Sequence, residues 1–183
     1  ITTGANNSAF GNNALGANTT GAYNTAIGRQ AMESNTTASG GTAVGVSALE
    51  KNTTGASNTA VGRAALKANT TGAENVAVGK DALKGNTTGD NNIAIGENSL
   101  SSNTTGVRNI VIGTDAYNSS DTENDNLAIG HNAMTTNTAG GSQNIAIGNY
   151  SLDALTSGDN NTAVGYNTLT ANNSGYQNTA MGY

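Results

Sequence analysis

The sequence predicts an all-β fold, a single-chain parallel β-solenoid of 17-residue turns, and two observations carry that prediction. A glycine closing a short alternating phrase such as NTAVG or NIAIG recurs at Gly11, Gly28, Gly45, Gly62, Gly79, Gly96, Gly113, Gly130, Gly148, Gly165 and Gly182, giving nine intervals of 17 residues and one of 18. The apolar residues around those glycines keep the same period, which low-complexity disorder has no reason to do. Composition alone leaves disorder open, with 25 Gly, no Pro and 35% hydrophobic residues, and with 10% charged residues against ~25% in ordinary globular domains. Periodicity decides for the solenoid.

Each part of the unit has a physical reading. A typical unit, Gly45 to Val61, reads GVSALEKNTTGASNTAV. Its NTAVG phrase is a short strand in which the residues flanking the alanine share one face and the alanine takes the other. The residue before each Gly is always apolar, from Phe10, Ile27 and Val44 through Ile129, Ile147, Val164 and Met181, and it is expected to form a core column. The alanine column, Ala9, Ala26, Ala43, Ala60, Ala77, Ala94, Val111, Ala128, Ala146, Ala163 and Ala180, admits little that is larger, which points to close packing of a neighbouring copy against the outside of the strand. The alternative puts alanine inside and the aliphatics outside, where they would need cover.

A second apolar column follows four residues after each Gly, as in Leu15, Met32, Leu49, Leu66, Leu83, Leu100, Tyr117, Met134, Leu152 and Leu169; it is expected on a second short extended segment lining the interior. The NTTG that comes next, at Asn18, Asn52, Asn69, Asn86 and Asn103, is turn chemistry. Asn and Thr side chains bond nearby backbone, Gly permits positive φ, and Asn amides stacked at one corner can ladder along the axis. Stacking at ~4.8 Å per turn would make a coil roughly 50 Å long. A helical repeat is disfavoured by the Asn, Thr and Gly content and by the short period. Residues 1–183 are expected to form one array of about ten and a half turns, an uncapped fragment of a longer fibre.

These NTAIG, NTAVG and NIAIG phrases, with the A-L that follows them, resemble the head repeats of YadA-like trimeric autotransporter adhesins and, more closely, the NTAVGxxALxxNTTG arrays of phage and bacterial tail fibres. The resemblance covers essentially the whole chain. It implies a left-handed β-roll assembled as a parallel homotrimer, in a fibre exposed outside the cell, at a cell surface or on a virion tail, acting in attachment or as a rigid spacer. The partners it implies are further copies of the chain and a host-surface glycan or protein receptor. The adhesin repeat is usually shorter and lacks the NTTG corner.

Other function classes are poorly supplied. One histidine, no cysteine and scattered carboxylates offer few ways to build a nucleophile with its base or a transition-metal site, so no enzyme, catalytic residue or cofactor is expected. No run of ~18 apolar residues suggests a membrane span, and a net charge of -5 disfavours nucleic acid. Asp121, Glu123 and Asp125, at alternate positions in a unit that has lost NTTG, are the only metal candidates, for Ca²⁺, and lack further ligands. His131 sits at a position that elsewhere holds Arg, Lys, Glu or Tyr and reads as a surface residue. Arg63 and Lys80, and Lys67 and Lys84, repeat in consecutive units and should form a basic patch suited to an anionic glycan. Six NTT triplets are formal glycosylation acceptors read here as corners. Their paired threonine columns raise an ice-binding solenoid as the alternative function, and Asp153, Asp159 or the acidic corner raise, less strongly, a glycan-cleaving tailspike.

Overall fold

The computed structural model describes residues 4–136 and 141–183. Its strands are β1 (Ser8–Phe10), β2 (Thr25–Ile27), β3 (Thr42–Val44), β4 (Thr59–Val61), β5 (Val76–Val78), β6 (Ile93–Ile95), β7 (Ile110–Ile112), β8 (Leu127–Ile129), β9 (Ile145–Ile147), β10 (Thr162–Val164) and β11 (Thr179–Met181). They form one parallel 11-stranded sheet in chain order. Pairing repeats in register, as in Ala43 with Ala60 and Val44 with Val61. The longer unit leaves that register intact, because Leu127 pairs with Ile145 and the extra residue is absorbed between β8 and β9. The chain is therefore a β-solenoid with one strand per turn.

The structure reverses the expected sidedness of the strand. Ala26, Ala43, Ala60, Ala77, Ala94, Ala128, Ala146 and Ala163 are wholly buried, while Ile27, Val61, Ile95 and Ile112 stand 36–44% exposed on the opposite side. Alanine is the inner column and the residue before Gly is an outer one. The coil is so thin that the Leu column reaching in from the far side fills the interior. Leu49, Leu66, Leu83, Leu100 and Leu152 are completely buried, as are the alanines before most of them.

The leucines are not on a second strand either. Leu49 and Leu66 both have φ of 51°, in the left-handed region, within a succession of tight turns. That conformation costs a non-glycine residue ~1–3 kcal/mol, and burying a Leu side chain returns ~1.5–3 kcal/mol. A cross-turn main-chain bond, Leu49 N–H to Ala65 O at 3.0 Å, secures the arrangement. The glycine before this segment has no substitute: Gly62 has φ of 137°, and a Cβ there would lie 2.4 Å from Gly79 O.

Two buried asparagine ladders line the rest of the interior. The corner Asn stack was expected, and it runs from Asn18 through Asn35, Asn52, Asn69 and Asn86 to Asn103; Asn69 Nδ2, for example, donates to Asn52 Oδ1 at 2.7 Å and to Gly72 O at 2.8 Å. The second ladder, from the Asn that opens NTAVG, was not. Asn75 Nδ2 donates to Gly89 O at 2.8 Å, and Asn75 Oδ1 accepts from Asn92 N–H at 2.9 Å. In the one unit with Gly41 at this place, Gly41 N–H still donates to Asn24 Oδ1 at 2.8 Å. The missing side chain's space goes to Met32, whose Cε lies 2.7 Å from where a Gly41 Cβ would be.

The inverted core makes a direct prediction for unfolding experiments. Asn75→Ala orphans the buried Asn92 N–H and removes one of the two amide donors to Gly89 O, which keeps Asn86 Nδ2; it should cost about 1–3 kcal/mol, and Ala77→Leu overpacks the inner column at a cost of about 1–3 kcal/mol. Val61→Ala, on the outer column, should cost less than about 1 kcal/mol of chain stability. Urea titration followed by circular dichroism checks the order; a Val61→Ala loss larger than that of Ala77→Leu would contradict it.

Candidate functional site

With the alanines turned inward, each strand presents its first and third residues outward. The third is aliphatic in nearly every turn, and the first changes along the coil from Thr25, Thr42 and Thr59 to Val76, Ile93, Ile110, Leu127 and Ile145, then back to Thr162 and Thr179. Over β5–β9 both outer columns are therefore aliphatic. Ile110 and Ile112 are 40% and 37% exposed, Ile145 37% and Ile95 38%. Five strands at ~4.8 Å spacing make an uncovered apolar ledge roughly 20 Å long, of the continuous kind that marks interaction surfaces.

Arg63, Lys67, Lys80 and Lys84 lie in consecutive turns, with their charges largely paired. Asp81, itself buried, takes Arg63 Nη2 on one oxygen and Lys84 Nζ on the other, each at 3.2 Å. Lys67 Nζ lies 3.5 Å from Glu50, and Lys80 pairs with Glu97. Lys67 and Lys84 also line an open depression of about 540 Å³ together with Lys51, Ala68, Asp81, Gly85, Asn98, Ser101 and Ser102. Arg63 and Lys80 lie outside this lining. Lys51 escaped the sequence reading because it stands one residue past the repeated lysine column, next to Glu50, and only the stacking of turns brings it to Lys67.

The acidic residues Asp121, Glu123 and Asp125 share a corner and serve three different partners. Asp121 accepts from the Thr104 hydroxyl. Glu123 occupies the place of the NTTG glycine and is 3% exposed; its Oε2 caps the corner, accepting from Ser120 Oγ, Asp121 N–H and Thr122 N–H at 2.8–3.1 Å. Asp125 meets Arg108, whose Nε and Nη2 donate at 2.6 and 2.8 Å. Among the described residues no three His, Asp or Glu side chains are grouped to hold a metal ion. The corner ladder stops here: Ser120 replaces Asn, and Asn103 Oδ1 is left without a hydrogen-bond partner among the described residues.

His131 is exposed, as its variable position implies, with Nδ1 3.1 Å from Thr114 O. It also begins an aromatic row that sequence reasoning missed: Tyr150 packs edge-on against it at 5.5 Å and Tyr166 against Tyr150 at 5.9 Å, and Tyr183 stacks on Tyr166 at 5.5 Å. Of the paired threonine columns, the first is engaged in the coil, as in Thr53 Oγ1 donating to Thr70 O at 2.9 Å. The second, Thr54, Thr71, Thr88 and Thr105, is exposed, whereas Thr36, Thr53, Thr70, Thr87 and Thr104 of the first are half-buried. Asp159 Oδ1 accepts from Ser142 N–H at 2.8 Å, and partial burial raises the carboxyl pKa of Asp153 above the ordinary aspartate value. Among the described residues no helix is long and apolar enough to cross a membrane. Comparison with protein-family models, curated proteins and solved structures finds no significant match to this chain.

The Arg108–Asp125 pair carries a pH signature. Hydrogen bonding to Arg108, aided by its charge and opposed by slight desolvation, holds the Asp125 carboxyl below the usual aspartate range. A depressed folded-state pKa gives stabilisation that is present above the unfolded value, about 3.9, and is lost as pH falls through the folded value. Carboxyl carbon NMR should show Asp125 titrating below an ordinary aspartate and returning toward it in Arg108→Gln. An Asp125 titration unmoved by that substitution would refute the assignment.

Proposed function

We propose that this chain is a structural and adhesive segment of an elongated fibre at a cell or virion surface, in which three parallel copies associate through the apolar strand face and serve in attachment or as a rigid spacer. One observation carries the reading: the doubled aliphatic column over β5–β9 is uncovered in a single chain. A coil whose interior is already filled gains nothing by exposing Ile110 and Ile112 to water. Covering such surface is worth ~25 cal/mol per Å² removed from solvent. A second copy presents the same columns at the same axial spacing, so two coils meet along their length rather than at a point. The left hand of the coil and the number three rest on the resemblance to adhesin heads and tail fibres, and the extracellular setting rests there too.

In this reading the role is non-enzymatic, and the interior is devoted to axial stiffness. Main-chain pairing and two amide ladders tie each turn to the next, so bending the coil strains many short bonds at once.

Light scattering on the purified chain should give a mass about three times the 18.1 kDa of one chain. Ile95→Asp/Ile112→Asp places charges on the ledge and should yield monomer with an unchanged far-ultraviolet spectrum. A parent chain that is monomeric at micromolar concentration would sink the proposal.

A further inference from the structure

Seven Lys and Arg residues stand in a chain of net charge -5, yet five of them, Lys51, Arg63, Lys67, Lys80 and Lys84, fall between residues 51 and 84. A solenoid places residues one period apart in adjacent turns, ~4.8 Å from each other, so these charges are concentrated on one stretch of coil. Exposed ion pairs of this kind contribute only ~0–1 kcal/mol, which is little reason to gather cations here for stability. Two of the five, Arg63 and Lys80, lie outside the lining, Arg63 pairing with Asp81 and Lys80 with Glu97; Lys51, Lys67 and Lys84 converge on the depression. Lys67 meets Glu50 and Lys84 meets Asp81, but Lys51 makes no ion pair among the described residues, so three lysines stand at the depression against two carboxylates. Its volume of about 540 Å³ is within the ~300–1,000 Å³ of ligand pockets.

We propose that this depression is a subsite for an acidic polysaccharide, one whose sugar rings bear carboxylates. The inference rests on the adhesive reading above and names the ligand class. Lys67 and Lys84 lie in successive turns, so a linear polymer running along the coil meets one cation per turn. Asn98, Ser101 and Ser102 supply an amide and hydroxyls that exchange hydrogen bonds with sugar hydroxyls. A nucleic acid fits less well: no aromatic ring lines the depression to stack a base, and a densely charged phosphodiester would meet the acidic remainder of the coil.

The test titrates polygalacturonate, neutral dextran and oligothymidylate against the full chain by calorimetry. Polygalacturonate should bind and dextran should not, and binding should weaken as salt rises from ~0.05 to ~0.5 M, where the screening length shrinks to a few ångströms. Lys51→Gln/Lys67→Gln/Lys84→Gln, in which Asp81 keeps Arg63, should lose roughly tenfold or more in affinity, and Arg63→Gln/Lys80→Gln roughly threefold at most. No polygalacturonate binding, equal binding of dextran, tighter binding of oligothymidylate, or full affinity in the triple variant would each overturn the proposal. Light scattering on the same samples separates the two claims: an intact assembly that ignores polygalacturonate refutes the subsite alone, and a monomer that binds it refutes the fibre.

Discussion

Everything in this molecule depends on register between one turn and the next. The asparagine amide enforces it because it carries a donor and an acceptor in one short side chain. Asn75 Nδ2 reaches the main-chain carbonyl of Gly89 while its Oδ1 takes the N–H of Asn92. The side chain thus does for the thin interior what main-chain pairing does for the sheet, and buried amides bonded in this way avoid the cost of an orphaned polar group. A shift by one residue along the chain would break both ladders and drive aliphatics into the space of the inner alanines. A core of alanine and leucine could not by itself discriminate so sharply, since apolar contacts are tolerant of small displacements.

That constraint explains which parts of the fold were legible in the sequence. The period, the strands, the buried leucine column and the corner amides all follow from residue types repeating at fixed spacing. Sidedness did not follow. Bulky aliphatics before each Gly resemble a core by their hydrophobicity, and alanine resembles a surface ceiling, yet the interior is so narrow once Leu66 or Leu83 has entered from the other side that the strand side holds alanine in every buried turn but one, where Val111 takes its place. The deciding quantity was the width of the coil, which no local pattern reports. Leucine in the left-handed region was equally hidden, because propensity argues against it and only full burial compensates.

Site residues were legible where they sat in columns and obscure where they did not. Lys67 and Lys84 announce themselves by repetition, whereas Lys51 is off the column and joins them only through stacking. The alternation of Asp121, Glu123 and Asp125 suggested ligands aimed at one point. In the folded corner, Glu123 turns inward as a cap because it has replaced a glycine, and Asp125 belongs to the column of Arg108 in the preceding turn. Sequence spacing within a corner says little about direction, and spacing of a full period says a great deal.

The contrast between inner and outer columns carries a last step. Inside, the same few residue types recur because each must meet its own copy in the next turn. Outside, the residue at the head of the strand changes from Thr59 to Val76, Ile93 and Ile110 and returns to Thr162, while the cations cluster between residues 51 and 84. Neither change is required by the coil, which stacks equally well with threonine or with neutral flanks, as its first and last turns demonstrate. Departures from periodicity on the outer columns of a strictly periodic scaffold are therefore not accounted for by the stacking of the coil. They overlap along the axis, so the apolar ledge and the lysine-lined depression sit on neighbouring and partly shared turns of one stiff segment.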